Sequence, residues 1–258
     1  KEVFRIFELA WEKGVRRFDT APNYGSETLL GEFIVANGLQ DEAIVQTKIP
    51  SLGGSSSFQS YIRKNLESSL KNLGCSVDVL FFHDPEDSVW LLKDQQFFEK
   101  LLHDYPVLTI GVSVYELQEI EQLLGCQFEL AFQFPFNVLD RRFEKISIPK
   151  GKRYARSIFL QGLLASTNCL RLDAPVELLN LQKEYHDRLF NHNLDPVGFA
   201  VSFVVNHDSV DYFLVGVDTE KHLQDILDLD PYQEKDMIVL DALLVNTDKK
   251  WIDPRNWS

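Results

Sequence analysis

Four polar residues suited to moving a proton, Asp19, Tyr24, Lys48 and His83, stand close to short apolar runs. Asp19, Lys48 and His83 come directly after such runs, in Arg-Arg-Phe-Asp19-Thr-Ala, Ile-Val-Gln-Thr-Lys48 and Val-Leu-Phe-Phe-His83-Asp-Pro, and Tyr24 lies in the loop after the first. If the runs are successive parallel strands, their ends open on one rim and the four side chains can meet there. A tyrosine alone is a poor acid, with a pKa of about 10. A lysine ammonium beside it favours the phenolate, so its proton can be given up nearer neutral pH. Asp19 can hold that ammonium by pairing with it, and His83 can donate a hydrogen bond to a carbonyl oxygen. The set suits reduction of a carbonyl, in which carbon gains hydride and oxygen gains a proton. No side chain supplies hydride, so a nicotinamide cofactor is implied. Singly, each residue has a structural reading: a turn cap for Asp19, a packed loop ring for Tyr24, a solvated Lys48, a structural His83. Three consecutive strand ends with complementary chemistry favour the joint reading.

The elements that must position these residues follow from the apolar pattern. Strands are expected near Arg16 to Asp19, Ala43 to Thr47, Val77 to Phe82, Val107 to Ser113, Leu130 to Phe134, Arg153 to Phe159 and Asp211 to Gly216. Amphipathic helices are expected from Lys1 to Lys13, Gly25 to Ala36, Phe58 to Leu73, Asp94 to Leu102, Glu116 to Leu124, Pro175 to Phe190 and Pro196 to Asn206, with a short one after Ile238. The alternation predicts a parallel α/β fold. Polar residues end strands along the whole chain, and no Gly-x-Gly-x-x-Gly follows a strand, which favours a (β/α)8 TIM barrel over an open doubly wound sheet. The eighth strand is expected before Lys1, outside these residues, because a barrel leaves no open edge. The segment Ser51 to Ser57 reads as a flexible loop on the rim of the site, able to cap a substrate. The tail Trp251 to Trp257 is expected to pack on the barrel, and so are Trp90, Phe134 and Phe136, near predicted strand ends.

With 258 residues and 45% hydrophobic content, a single domain over 1–258 is expected. A net charge of -13 argues against a nucleic-acid or anionic-membrane partner. The three cysteines, Cys75, Cys126 and Cys169, form no Cys-x-x-Cys pair, so they read as reduced core thiols of a cytoplasmic protein, with no metal site expected. No apolar run reaches the roughly 18 residues that span a bilayer.

The stretch Gly14-Val-Arg-Arg-Phe-Asp-Thr-Ala-Pro-Asn-Tyr-Gly-Ser-Glu-Thr-Leu-Leu-Gly31 resembles the Asp-Thr-Ala-x-x-Tyr-Gly-x-Glu-x-x-Leu-Gly signature of the aldo-keto reductases. Thr47-Lys48, His83-Asp84-Pro85, Gly111-Val-Ser113 and Gln133 follow in that family's order. The resemblance implies an eight-stranded α/β barrel, with NADPH or NADH as cofactor and a small-molecule carbonyl substrate. It implies Tyr24 as general acid, Lys48 and Asp19 as its supporting pair, and His83 as the group that orients the carbonyl. Ser113 and Gln133 would then bond the nicotinamide carboxamide. Three positions depart from the family's pattern. Val114 stands where asparagine is usual, which removes one carboxamide bond. Arg156 stands where many members stack an aromatic on the nicotinamide; its planar guanidinium can stack instead, or serve as a rim salt-bridge partner. The segment Phe213 to Ile226 offers Asp218, Thr219, Glu220 and His222, with only Lys221 basic, where NADP-using members place cations, so the expectation leans to NADH, with Asp218 taking a ribose hydroxyl or capping the helix after it.

Two other functions remain open on sequence. One is a cofactor-binding regulatory or auxiliary protein on the same barrel, against which the intact four-residue set argues. The other is an aldolase or isomerase barrel with a Schiff base at Lys48, which the Tyr24 motif disfavours.

Overall fold

Apolar runs that are buried on both faces become parallel strands here, since helices cover one side and core side chains the other. The structure, a computed structural model, describes residues 2–53, 57–146, 148, 150–170, 174–232 and 248–257. The helix expected after Ile238 lies outside the described residues, as do Gly54, Ser55 and Ser56 of the rim loop.

Seven strands are described: β1 Arg17–Asp19, β2 Ile44–Ile49, β3 Val77–Phe82, β4 Val107–Ser113, β5 Ala131–Pro135, β6 Arg153–Arg156 and β7 Tyr212–Phe213. Their order in the sheet is the order in the chain, and the registers resolved between neighbours are all parallel. Between them lie the helices α1 Glu2–Glu12, α2 Glu27–Ala36, α3 Phe58–Leu73, α4 Trp90–Lys93, α5 Gln95–Asp104, α6 Leu117–Glu121, α7 Val176–Asn191, α8 Pro196–Val205 and α9 Glu220–Leu227.

The chain divides into two compact units. The first, Lys1–Gln133 with Ile148–Lys152 and Val217–Gln224, holds β1 to β4, the start of β5 and α1 to α6. Its core is built from strand residues such as Val45, Val79, Phe81, Phe82 and Val112, closed by Ile62, Leu66 and Leu73 of α3. Those α3 positions recur at helical spacing, so one face of the helix is apolar. Gly74 ends the helix in the left-handed region, at φ 65°, with its N–H on the Leu70 carbonyl. The second unit, Phe134–Ser147 with Arg153–Gly216 and Asp225–Ser258, holds β6, β7, α7 and α8. Tyr154, Phe136, Phe143, Tyr185 and Phe199 are fully buried within it.

Several boundaries differ from expectation for local reasons. The strand expected to reach Phe159 stops at Arg156, because Ser157 turns to φ 57° and Leu160 and Gln161 to 45° and 53°, values no strand residue adopts. The strand expected over Asp211 to Gly216 shrinks to Tyr212–Phe213. The helix after Gly216 is capped by Thr219, whose Oγ1 accepts from the His222 N–H at 3.1 Å, so the cap is not Asp218. The cysteines are free, but only Cys75 and Cys126 are half-buried; Cys169 is exposed, on an irregular segment where the Gln182 amide reaches its Sγ. Phe134 and Phe136 are buried, stacked on Phe143 and Phe203 respectively, and Trp90 stacks on Phe58 at 4.0 Å between centroids. In the tail, Trp251 and Ile252 are buried, and the Trp257 indole N–H donates to the Trp251 carbonyl.

Candidate active site

All four residues of the expected proton-transfer set lie in the first unit, at the C-terminal ends of β1, β2 and β3. Asp19 is the last residue of β1, Lys48 the penultimate residue of β2, and His83 the first after β3, its N–H on the Ile49 carbonyl at 3.1 Å. Parallel pairing sets Phe18 beside Val45 and Lys48 beside Phe81, so the three chain segments open on one edge.

Lys48 is 2% exposed. Its Nζ donates to Asp19 Oδ1 at 2.5 Å and to the Thr20 carbonyl at 3.3 Å. The other Asp19 oxygen, Oδ2, accepts from the Gln133 amide nitrogen at 2.9 Å. A buried ammonium is tolerated only when paired and hydrogen-bonded, and Asp19 supplies both. The Lys48 Nζ lies 5.0 Å from the centre of the Tyr24 ring. That ring meets the His83 imidazole edge to face, with centroids 6.1 Å apart and planes at 87°. Tyr24 is 53% exposed, in contrast to the lysine beneath it. The structure therefore brings Asp19, Tyr24, Lys48 and His83 together.

Tyr24 ends a short 3-10 turn, Pro22–Tyr24, and Gly25 follows at φ 70°. A Cβ on Gly25 would meet no atom within 4 Å, so glycine is needed there for its backbone conformation alone. The loop is fastened to β2 at both ends. At its start, Thr20 N–H donates to the Gln46 carbonyl at 2.9 Å. At its finish, Glu27 Oε1 accepts from the Thr47 hydroxyl at 2.7 Å, and Glu27 Oε2 accepts from the Asn72 amide at 3.1 Å. A 2.8 Å contact between the Thr20 and Ser26 hydroxyls closes the loop across its neck.

The expected cofactor residues separate into two groups. Ser113 ends β4 beside Gln133 of β5, and both are buried, so a hydroxyl and an amide adjoin the Asp19 carboxylate side of the site. Gln133 commits its amide nitrogen to Asp19. Val114 is fully buried and carries no polar side-chain atom. Asp218 is exposed just before α9, and Glu220 in the first turn pairs with Arg5 at 3.7 Å. Arg156 belongs to the second unit, where it ends β6 half-buried with its Nη1 3.4 Å from the Ser157 hydroxyl.

The rim loop after Lys48 is anchored at its described end. Ser51 Oγ donates to Asp84 Oδ2 at 2.9 Å, the Leu52 N–H to Asp87 Oδ2 at 2.7 Å, and the Tyr61 hydroxyl to the Ser51 carbonyl. Burial pushes the Asp87 carboxyl above its ordinary value, and the charges of Asp84 and Glu86 add to the rise while the Leu52 N–H opposes it. Among the described residues no group of three or more His, Cys, Asp or Glu side chains is placed to hold a metal ion. No helix among them is long and apolar enough to cross a membrane.

Residues 1–244 match the Aldo/keto reductase family. The chain belongs to that family. Among its curated relatives, a D-threo-aldose 1-dehydrogenase from a Pseudomonas species is 32% identical, the match covering 83% of this chain and 79% of the relative. A putative voltage-gated potassium channel subunit beta from Schizosaccharomyces pombe is also 32% identical, over 56% of this chain and 47% of the relative. The chain spans about half the length of several curated relatives it matches. A solved glycerol dehydrogenase from Gluconobacter oxydans superposes with a TM-score of 0.73 at 21% identity, covering 97% of this chain and 87% of that one. The fold is that of the aldo/keto reductase (β/α)8 barrel, with seven strands among the described residues.

Proposed function

We propose that this aldo/keto reductase reduces an aldehyde or ketone to an alcohol with NAD(P)H, using Tyr24 as the general acid. The observation that carries the reading is the buried Lys48 ammonium, held by Asp19 and lying 5.0 Å from the Tyr24 ring. NAD(P)H, when bound, supplies the hydride. Tyr24 Oη gives its proton to the carbonyl oxygen, and Lys48 favours the phenolate that remains. Asp19 fixes the ammonium, so its charge needs no reorganisation as the proton leaves. His83 donates a hydrogen bond to the carbonyl oxygen and orients it. The exposure of Tyr24 lets solvent return the proton after each turnover.

The buried hydroxyl and amide of Ser113 and Gln133, side by side on β4 and β5, fit a carboxamide, which has a donor and an acceptor of its own. At the far end of the cofactor, Asp218 disfavours a 2′-phosphate and suits a ribose hydroxyl, so NADH is the preferred form. A carbonyl compound derived from a sugar is the substrate class favoured by the named activity of the Pseudomonas relative. The name of the fission-yeast relative supports a second reading, an auxiliary protein that binds cofactor with little turnover.

The test titrates the full-length protein with NADH and NADPH, then follows reduced-cofactor absorbance with aldehydes, ketones and aldoses. Tighter binding of NADH and turnover with some member of the panel are expected. Binding without turnover would favour the auxiliary reading, and binding of neither cofactor would end both.

A further inference from the structure

Glu27 is a carboxyl side chain sealed inside the first unit, on a residue 3% exposed. Neither of its hydrogen-bond partners is a cation: the Thr47 hydroxyl holds one oxygen and the Asn72 amide the other. The helix-start position in α2 is favourable to an acid. Even so, burying a carboxyl is costly, and an apolar residue of similar volume generally stabilises such a place as well or better. Packing therefore does not account for the choice.

What the two bonds connect is more informative. Glu27 comes three residues after Tyr24, and Thr47 comes one residue before Lys48. The Glu27–Thr47 bond thus joins the far end of the tyrosine loop to the strand that carries the lysine. At the near end of that loop, sheet pairing and the Lys48 bonds to Asp19 and Thr20 perform the same task. The second bond, to Asn72, points away from the site, to the last turn of α3. There α2 and α3 are already pressed together at Gly31, where a Cβ would lie 2.0 Å from the Asn72 carbonyl oxygen. The two legs of one carboxyl group therefore have separable consequences: one spans the Tyr24–Lys48 pair, and the other ties two helices that also meet without it.

We propose that Glu27 is a positioning residue for proton transfer: through Thr47 it sets the separation between the Tyr24 phenol and the Lys48 ammonium. The inference rests on the acid role of Tyr24 proposed above. If the separation grows, the electrostatic help Lys48 gives the phenolate weakens, and the tyrosine returns toward its ordinary pKa near 10. Small misplacements of a reacting group are known to cost up to about 100-fold in rate.

The experiment compares Thr47→Val, Thr47→Ser and Asn72→Ala in the full-length protein, so that Glu27 stays in place while each of its two bonds is removed in turn. Each is measured for unfolding free energy, for reduced-cofactor affinity and for kcat of carbonyl reduction across pH. Thr47→Val is expected to lower kcat about tenfold at unchanged cofactor affinity, and to move the alkaline limb of the kcat profile upward. Thr47→Ser keeps the hydroxyl and is expected to restore both. Asn72→Ala is expected to lose stability while kcat and its pH profile stay in place. Wild-type kcat and profile in Thr47→Val would overturn the inference, as would equal kinetic losses in Thr47→Val and Asn72→Ala, which would mark Glu27 as a stability device. Failure of the acid role is read separately, from wild-type turnover and the Tyr24→Phe variant.

Discussion

Lys48 sets the terms at the scale of single residues, because an ammonium 1% exposed at its side chain must have a partner in every folded molecule. Asp19 is that partner, and its second oxygen is held by Gln133. Replacing Asp19 by alanine leaves the ammonium without its countercharge, and a loss of about 3 kcal/mol in unfolding free energy is expected, measured by urea denaturation. A loss below about 1 kcal/mol would show that water or the Thr20 carbonyl solvates Lys48 unaided. The grouping of these side chains was legible in the sequence, since Asp19, Lys48 and His83 stand at strand ends and Tyr24 in the loop after the first. The Gln133 bond to Asp19 was not, because its partners are 114 positions apart and the residue was expected at a carboxamide. The Glu27–Thr47 bond was hidden for a similar reason: Glu27 stood in plain view in the Gly-Ser-Glu motif, but no local rule names its partner twenty residues on.

The same contrast holds for the elements. Long amphipathic segments such as Phe58–Leu73 are readable to the residue, since periodicity and a glycine cap mark both face and end. Short strands are not: β7 is two residues long and is fixed by its neighbour rather than by its own pattern. Arg153 at the start of β6 supplies that fixing. Its backbone N–H, Nε and Nη2 all donate to the Asp211 carboxylate, at 2.8, 3.0 and 2.8 Å. The side-chain bonds from Arg153 hold the Asp211 carboxyl below its ordinary value, so the folded state binds its proton less readily than the unfolded chain. Stability from this group is present above the unfolded value of about 3.9 and is lost as pH falls through the lower folded value. Asp211→Asn is accordingly expected to flatten the fall in urea midpoint below about pH 4. An acid limb unchanged in slope would place the acid sensitivity in other carboxylates.

For the whole molecule, the alternation of strands and helices foretold a parallel α/β barrel, and the family match and the solved structures bear that out. The net charge of -13 acts at this scale too: an anionic ligand approaches a protein of its own sign, and salt screens that long-range repulsion. The cofactor preference, proposed from Asp218 and its neighbours, is the part of the account that this chain shapes most individually. The acid machinery, by contrast, stands or falls on Tyr24. The most direct measurement is the steady-state rate of reduced-cofactor oxidation by full-length wild type and Tyr24→Phe, with a carbonyl substrate identified from the panel and cofactor affinity measured in parallel. A fall of about 100-fold or more in kcat at nearly unchanged cofactor affinity is expected. Turnover in Tyr24→Phe equal to wild type would contradict the account, because the proton would then come from another group.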